Sequence, residues 1–158
     1  MRDDGESATM DPGEQEQVIG WAVTESARRA IVLAGAGSND TRKAIGLAKA
    51  AGAAGADGVL VVTPYYNKPT PSGLLAHYLA VADASPVPVV LYNVPGRTGV
   101  NMLPETVLKL ARHENVAGIK DASGNLDQVS EILRGRPERF AVLSGEDSLT
   151  AADRRARR

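Results

Sequence analysis

Five short apolar runs, each closed by polar or glycine-rich residues and followed by a helical pattern, predict an α/β fold with a parallel sheet. Val32, Val61, Val90 and Ile119 mark corresponding points of successive runs, at intervals of about 29 residues. Residues 58–63 (GVLVVT) are continuously apolar, as in strands covered on both faces. Chemistry-bearing residues are spread over several strand ends. No G-x-G-x-x-G opens a helix after the first strand, because Gly35-Ala36-Gly37 lacks the third glycine, so a dinucleotide fold is poorly supported. The regular repeat favours a (β/α)8 TIM barrel. A complete barrel has eight strands and about 250 residues. The expectation is therefore a partial barrel of about five central βα units.

The elements follow in order. Asp11-Pro12-Gly13-Glu14 supplies an N-cap, a proline at the first helical position and a glutamate three residues after the cap. The helix it starts runs to about Glu25, with Val18, Ile19, Ala22 and Val23 on its apolar face. Residues 30–34 are a strand, and Asn39 or Asp40 caps a helix to about Ala54. The second strand covers 58–63, and a proline-bracketed loop (PYYNKP) leads to a helix from Thr70-Pro71 to about Asp83. The third strand is 88–92, followed by a loop over 93–102 and a helix over 104–112. The fourth strand is 116–120, a helix is anchored over 126–133, and the fifth strand is 140–143. Residues 1–10 read as loop.

The composition narrows the function. The 158-residue chain is 43% hydrophobic with a net charge of -1, which gives no electrostatic case for nucleic acid or a membrane surface. No apolar run approaches the length of a membrane span, and the acidic, polar start is unlike a signal peptide. A cytoplasmic enzyme-like domain is expected. Without cysteine, disulfides and thiolate metal sites are excluded. His77 and His113 lie in separate helical segments without ligand spacing and read as surface or helix-end residues. With one Phe and one Trp, packing must come from close helix–sheet contacts built on Ala and Gly.

The residue that demands explanation is Lys120, at the end of the apolar strand VAGIK. A lysine there costs desolvation unless its charge is paired or it sheds its proton. As a free amine it is a nucleophile able to form a Schiff base. As a cation it could equally snorkel to solvent or pair with a carboxylate. Residues of one parity share a strand face, so Tyr92 and Lys120 can converge if adjacent strands run in step. A phenol beside a Schiff-base lysine can relay protons; otherwise Tyr92 is a satisfied strand-end aromatic. Arg97, flanked by Gly96 and Gly99, is a natural fork for a carboxylate or a surface arginine. Tyr65 and Tyr66 either pack under their loop or reach across a subunit contact. Gly118 leaves space beside Lys120, and Gly145 can offer backbone polar groups to a ligand.

These stretches form a recognisable set: GESAT at 5–9, AGAGSN at 34–39, VTPYYNKP at 62–69, YNVPGRTG at 92–99, GIKDASGN at 118–125 and LSGED at 143–147. With them the chain resembles the dihydrodipicolinate synthase family, in the aldolase superfamily that includes N-acetylneuraminate lyase. The resemblance implies a TIM barrel in which Lys120 forms a Schiff base with pyruvate, which then condenses with aspartate semialdehyde, in lysine and diaminopimelate biosynthesis. It implies no metal or organic cofactor. Tyr92 becomes the proton relay, Arg97 the binder of the semialdehyde carboxylate, and Tyr66 the tyrosine donated across a tight dimer within a homo-tetramer (a dimer of dimers). YNVPGRT with its arginine favours the synthase over superfamily aldolases that act on sugar acids.

Several departures accompany the resemblance. The family motif G-T-T-G-E ends here in Gly5-Glu6, with Asp3 and Asp4 at the two threonine positions. Asp4 thus occupies a substrate-binding position, where a carboxylate repels pyruvate's own and offers no hydroxyl donor. Lys43 and Gln15 stand where lysine-inhibited members carry glutamate and histidine, so feedback inhibition by lysine is not expected. The first two strands and the last strand with its helix are not represented, so the expected division is an incomplete barrel domain over 1–150 and a basic non-family tail, AADRRARR, over 151–158. Truncation or a shifted reading frame would account for that tail, and a solvated basic tail is compatible with either origin; sequencing the gene past the stop tests the frameshift, which a lack of barrel-like continuation in any frame would sink. A catalytically inactive piece of the enzyme is the competing functional reading.

Overall fold

The computed structural model describes residues 6–146. After a 3-10 turn (Glu6–Thr9), the elements are α1 (Pro12–Ser26), β1 (Leu33–Gly35), α2 (Thr41–Ala53), β2 (Gly58–Val62), α3 (Pro71–Ala84) and β3 (Val89–Asn93). They continue with α4 (Pro95–Thr98), α5 (Pro104–Leu110), β4 (Val116–Asp121), α6 (Leu126–Gly135) and β5 (Ala141–Ser144). The five strands form one parallel sheet in the order β1-β2-β3-β4-β5, so each strand pairs with its sequence neighbours. This is part of a (β/α)8 barrel.

Local chemistry sets the helix starts. The Asp11 carboxylate accepts the Glu14 amide at 2.9 Å, and the Glu14 carboxylate accepts the Asp11 amide at 2.9 Å, a reciprocal capping box. Asp40 caps α2 through the Arg42 amide, Thr70 caps α3 through the Gly73 amide, and Asn125 caps α6 through the Gln128 amide. Each such cap is worth about 1 kcal/mol. Proline occupies the first turn of α1, α3, α4 and α5, where its missing N–H costs nothing.

The core lies between one sheet face and the helices. Val59, Val61, Val89, Leu91 and Ile119 are buried there with Leu74, Tyr78, Val81, Val107, Leu110 and Ile132. The alanines of α2 (Ala44, Ala48, Ala51) let that helix approach closely. Tyr78, wholly buried, donates its hydroxyl to the Val61 carbonyl at 3.0 Å, and burial pushes its phenol pKa up. The other face of the sheet carries Leu33, Leu60, Val62, Val90, Tyr92, Gly118, Lys120 and Leu143, aligned by the strand register. At its two edges this face is open: Leu33 is 40% and Leu143 41% exposed.

Several expectations need correction. The predicted apolar face of α1 is only partly covered: Ile19 packs against the core, Ala22 and Val23 are half-buried, and Val18 is exposed. The loop after β3 contains the short helix α4, closed by Gly99 at φ 71°. His77 is not a surface residue: it is buried, its Nδ1 lies 2.9 Å from the Thr41 hydroxyl, and its ring meets Tyr78 edge-on. Desolvation lowers its pKa. His113 lies in the turn after α5, half-buried, with Nε2 2.9 Å from Asp83 and Nδ1 accepting the Asn115 amide. The sequence reading of 151–158 as a tail falls outside the described residues.

Candidate active site

The ends of β3 and β4 build the site. Tyr92 pairs with Lys120 in the parallel register, which places both side chains on the open face of the sheet. The Lys120 Nζ lies 4.1 Å from the centroid of the Tyr92 ring. A lysine over an aromatic face is attracted by the ring quadrupole, which orients the amine on a ring that is itself buried. Gly118, two residues before Lys120, permits the close passage of β5: a Cβ there would stand 2.5 Å from the Ala141 carbonyl oxygen.

Gly145 follows β5 beside the lysine. Its amide donates to the Asp121 carbonyl at 2.7 Å, and a Cβ on it would lie 3.3 Å from the Lys120 Cε and 2.9 Å from the Ala122 Cβ. Arg97 is exposed on α4, the turn that leaves β3 directly. Lys68, from the loop after β2, packs against the far end of that turn at Gly99. In the same loop Tyr66 sits at φ 71° and is 88% exposed, held by the Asn67 amide donating to the Tyr65 carbonyl. A tyrosine in left-handed backbone is uncommon and marks local strain. Tyr92, Lys120 and Gly145 are thus gathered at one end of the sheet, while Tyr66 points into solvent. Asp3 and Asp4 lie outside the described residues.

A second set of polar residues stands behind this pair, on the helix side of the sheet. Asn93 and Asp121, the residues after Tyr92 and Lys120, are register partners and are both buried. They hydrogen-bond to each other and to Asn101, Gln128 and Ser123. Sequence reading passed over them. The available signal was a polar residue at the end of each strand on the parity otherwise filled by Leu91 and Ile119. Among the described residues, no three His, Asp or Glu side chains converge on a point that could hold a metal. No helix among them is long and apolar enough to cross a membrane.

Five parallel strands, the first four each followed by a helix, with a strand-end lysine on the inner face define a partial TIM barrel of aldolase type. Sequence comparison sharpens that class. The profile of the Dihydrodipicolinate synthetase family matches residues 3–155, and the chain belongs to this family. It is 56% identical over 146 residues to the 4-hydroxy-tetrahydrodipicolinate synthase of Geobacter sulfurreducens, covering 92% of this chain and 50% of that protein. The chain spans about half the length of the curated relatives it matches. Its fold superposes on the crystal structure of dihydrodipicolinate synthase from Aquifex aeolicus with a TM-score of 0.92 at 45% identity, covering 96% of this chain and 52% of that one. It is equally similar to a monomeric dihydrodipicolinate synthase variant, with a TM-score of 0.93 at 42% identity and the same coverage.

Proposed function

We propose that this chain carries the Schiff-base machinery of a 4-hydroxy-tetrahydrodipicolinate synthase, with pyruvate and aspartate semialdehyde as substrates. The Lys120 amine adds to the keto carbon of pyruvate and water leaves, forming an iminium. Loss of a methyl proton gives an enamine, whose carbon attacks the aldehyde of the second substrate; the new alkoxide takes up a proton. Hydrolysis of the imine, or attack by the substrate's own amine as it cyclises, then frees Lys120. Tyr92 is suited to pass the protons, and Arg97 to receive the semialdehyde carboxylate as a bidentate partner. Gly145 would offer its backbone to the pyruvate carboxylate. Asp4 remains an expected, repulsive neighbour of that carboxylate. Tyr66, exposed on a strained loop, suits a role across a subunit contact in a tetramer.

The observation that carries this reading is the Lys120 amine held 4.1 Å over the Tyr92 ring at adjacent strand ends. Borohydride reduction in the presence of pyruvate tests it. A reduced pyruvyl adduct on Lys120, abolished in Lys120→Ala, is expected; a folded chain that gives no adduct overturns the reading. Turnover with aspartate semialdehyde, compared with sugar acids, tests the second substrate. A non-catalytic role is favoured by one observation, the exposure of Leu33 and Leu143 on the inner face, where a complete barrel packs its interior.

A further inference from the structure

We infer that the buried network Asn93–Asp121–Asn101–Gln128 is a positioning device that sets the Lys120–Tyr92 pair and anchors the segment carrying Arg97, an inference that rests on the Schiff-base reading above. The covalent adjacency is direct: Asn93 follows Tyr92, and Asp121 follows Lys120. By strand parity their side chains leave the opposite face of the sheet, so they act through the backbone and touch no substrate. Asn93 donates from Nδ2 to Asp121 Oδ2 at 3.0 Å and to Asn101 Oδ1 at 2.9 Å. Its own Oδ1 accepts the Met102 amide at 3.0 Å. One side chain thereby joins β3 to β4 and closes the excursion through α4.

Asp121 completes the lock from β4. Its Oδ1 accepts the Ser123 amide at 2.9 Å and the Ser123 hydroxyl at 2.5 Å. Its Oδ2 accepts from Asn93 and, at 3.4 Å, from Gln128 Nε2. Gln128, on the first turn of α6, also donates to Asn101 Oδ1 and to the Met102 carbonyl, each at 3.3 Å, and accepts from Asn101 Nδ2 at 3.0 Å. Asn93, Asp121 and Gln128 are all at least nineteen-twentieths buried. Packing alone does not demand such a set, since well-fitted apolar residues serve stability as well as buried polar ones. What a satisfied polar network adds is direction: it permits one register and one loop position. A nucleophile displaced by about 1 Å loses about a hundredfold in rate, so a rigid brace behind the strand ends is worth its desolvation.

The test reads Lys120 itself in the full chain. Competitive acetylation with acetic anhydride over a pH series, followed residue by residue by mass spectrometry, gives the reactivity of Lys120 relative to the exposed Lys43 and Lys49. In Asp121→Asn an amide N–H faces donors where a carboxylate accepted them. In Asn101→Ala the Asn93 link is cut at an exposed position, where water can take its place and folding is spared. Both variants are expected to change the Lys120 rate by about tenfold and to move its pH profile, with Lys43 and Lys49 unchanged. Asn101→Gln, which keeps a neutral amide with an acceptor for Asn93 and a donor for Gln128 at this exposed position, is expected to return the profile toward the parent. If Asp121→Asn does not fold by circular dichroism, the two Asn101 variants carry the test. A Lys120 profile identical to the parent in the folded variants overturns the inference. Pyruvate trapping on the parent chain reports separately on the Schiff-base reading, because acetylation needs no pyruvate.

Discussion

The two faces of the sheet are finished to different degrees. On the helix side, Val59, Val61, Leu91 and Ile119 are sealed by the helices that follow each strand. On the inner side, Tyr92 and Val90 in the centre are buried while Leu33 and Leu143 at the edges are open. The difference is one of range. A βα unit buries its own strand against its own helix, a local event repeated four times among the described residues. The inner face of a barrel is filled by layers of side chains contributed by alternate strands around a closed ring. β1 to β4 have the first kind of packing, and the second kind is complete only in the middle of the sheet.

Mutation can sharpen that contrast. The largest effect is expected from Ile119→Ala, which opens a cavity on the sealed face and should cost about 2–5 kcal/mol. Leu143→Ala on the open face should cost less than about 1 kcal/mol, since much of that side chain already meets solvent. Urea denaturation of both measures the difference, and equal losses would show that the inner face is sealed in solution. Gly118→Ala comes next. Its Cβ would collide with the Ala141 carbonyl, so β4 and β5 must separate, at about 1–3 kcal/mol. Loss of a Lys120–pyruvate adduct alongside that destabilisation would tie the β4–β5 spacing to the chemistry.

The smallest expected effect is a pH dependence from the sealed side. Burial lowers the pKa of His77 below its ordinary value of 6.5. The folded chain therefore binds the proton less readily than the unfolded chain. As pH falls below about 6.5 the unfolded state takes up that proton first, and stability declines until the folded-state pKa is passed. Thermal melts between neutral and mildly acidic pH should show this slope, and His77→Gln should reduce it. The unchanged slope in that variant would assign it to other groups.

Much of this architecture was readable from residues alone, and the exceptions have a common origin. The helix starts at Asp11, Asp40 and Thr70 are local signals that nothing distant overrides, whereas the Asn125 cap of α6 went unread. The strand ends at Tyr92 and Lys120 follow from period-two alternation and parallel pairing. The Asn93 network depends on Asn101, Asp121 and Gln128 returning from different loops and helices, which no periodicity encodes. The burial of His77 depends on α2 bringing Thr41 against α3. The apolar pattern of α1 is real, yet it is covered only in part, at Ile19, Ala22 and Val23, and leaves Val18 exposed. Pattern reports what a segment can bury, and topology decides whether a surface arrives to bury it.

The strand order has a consequence for how such a molecule is assembled. Because the described strands pair with their sequence neighbours, pairing spans a single βα repeat at each step. Such an order keeps every strand contact between sequence neighbours, so the sheet is built from short-range pairings. β3, flanked on both sides, is buried along its whole length and forms the middle of that run of pairings. The tyrosine at its end meets the lysine through one such short-range pairing, a single βα repeat apart.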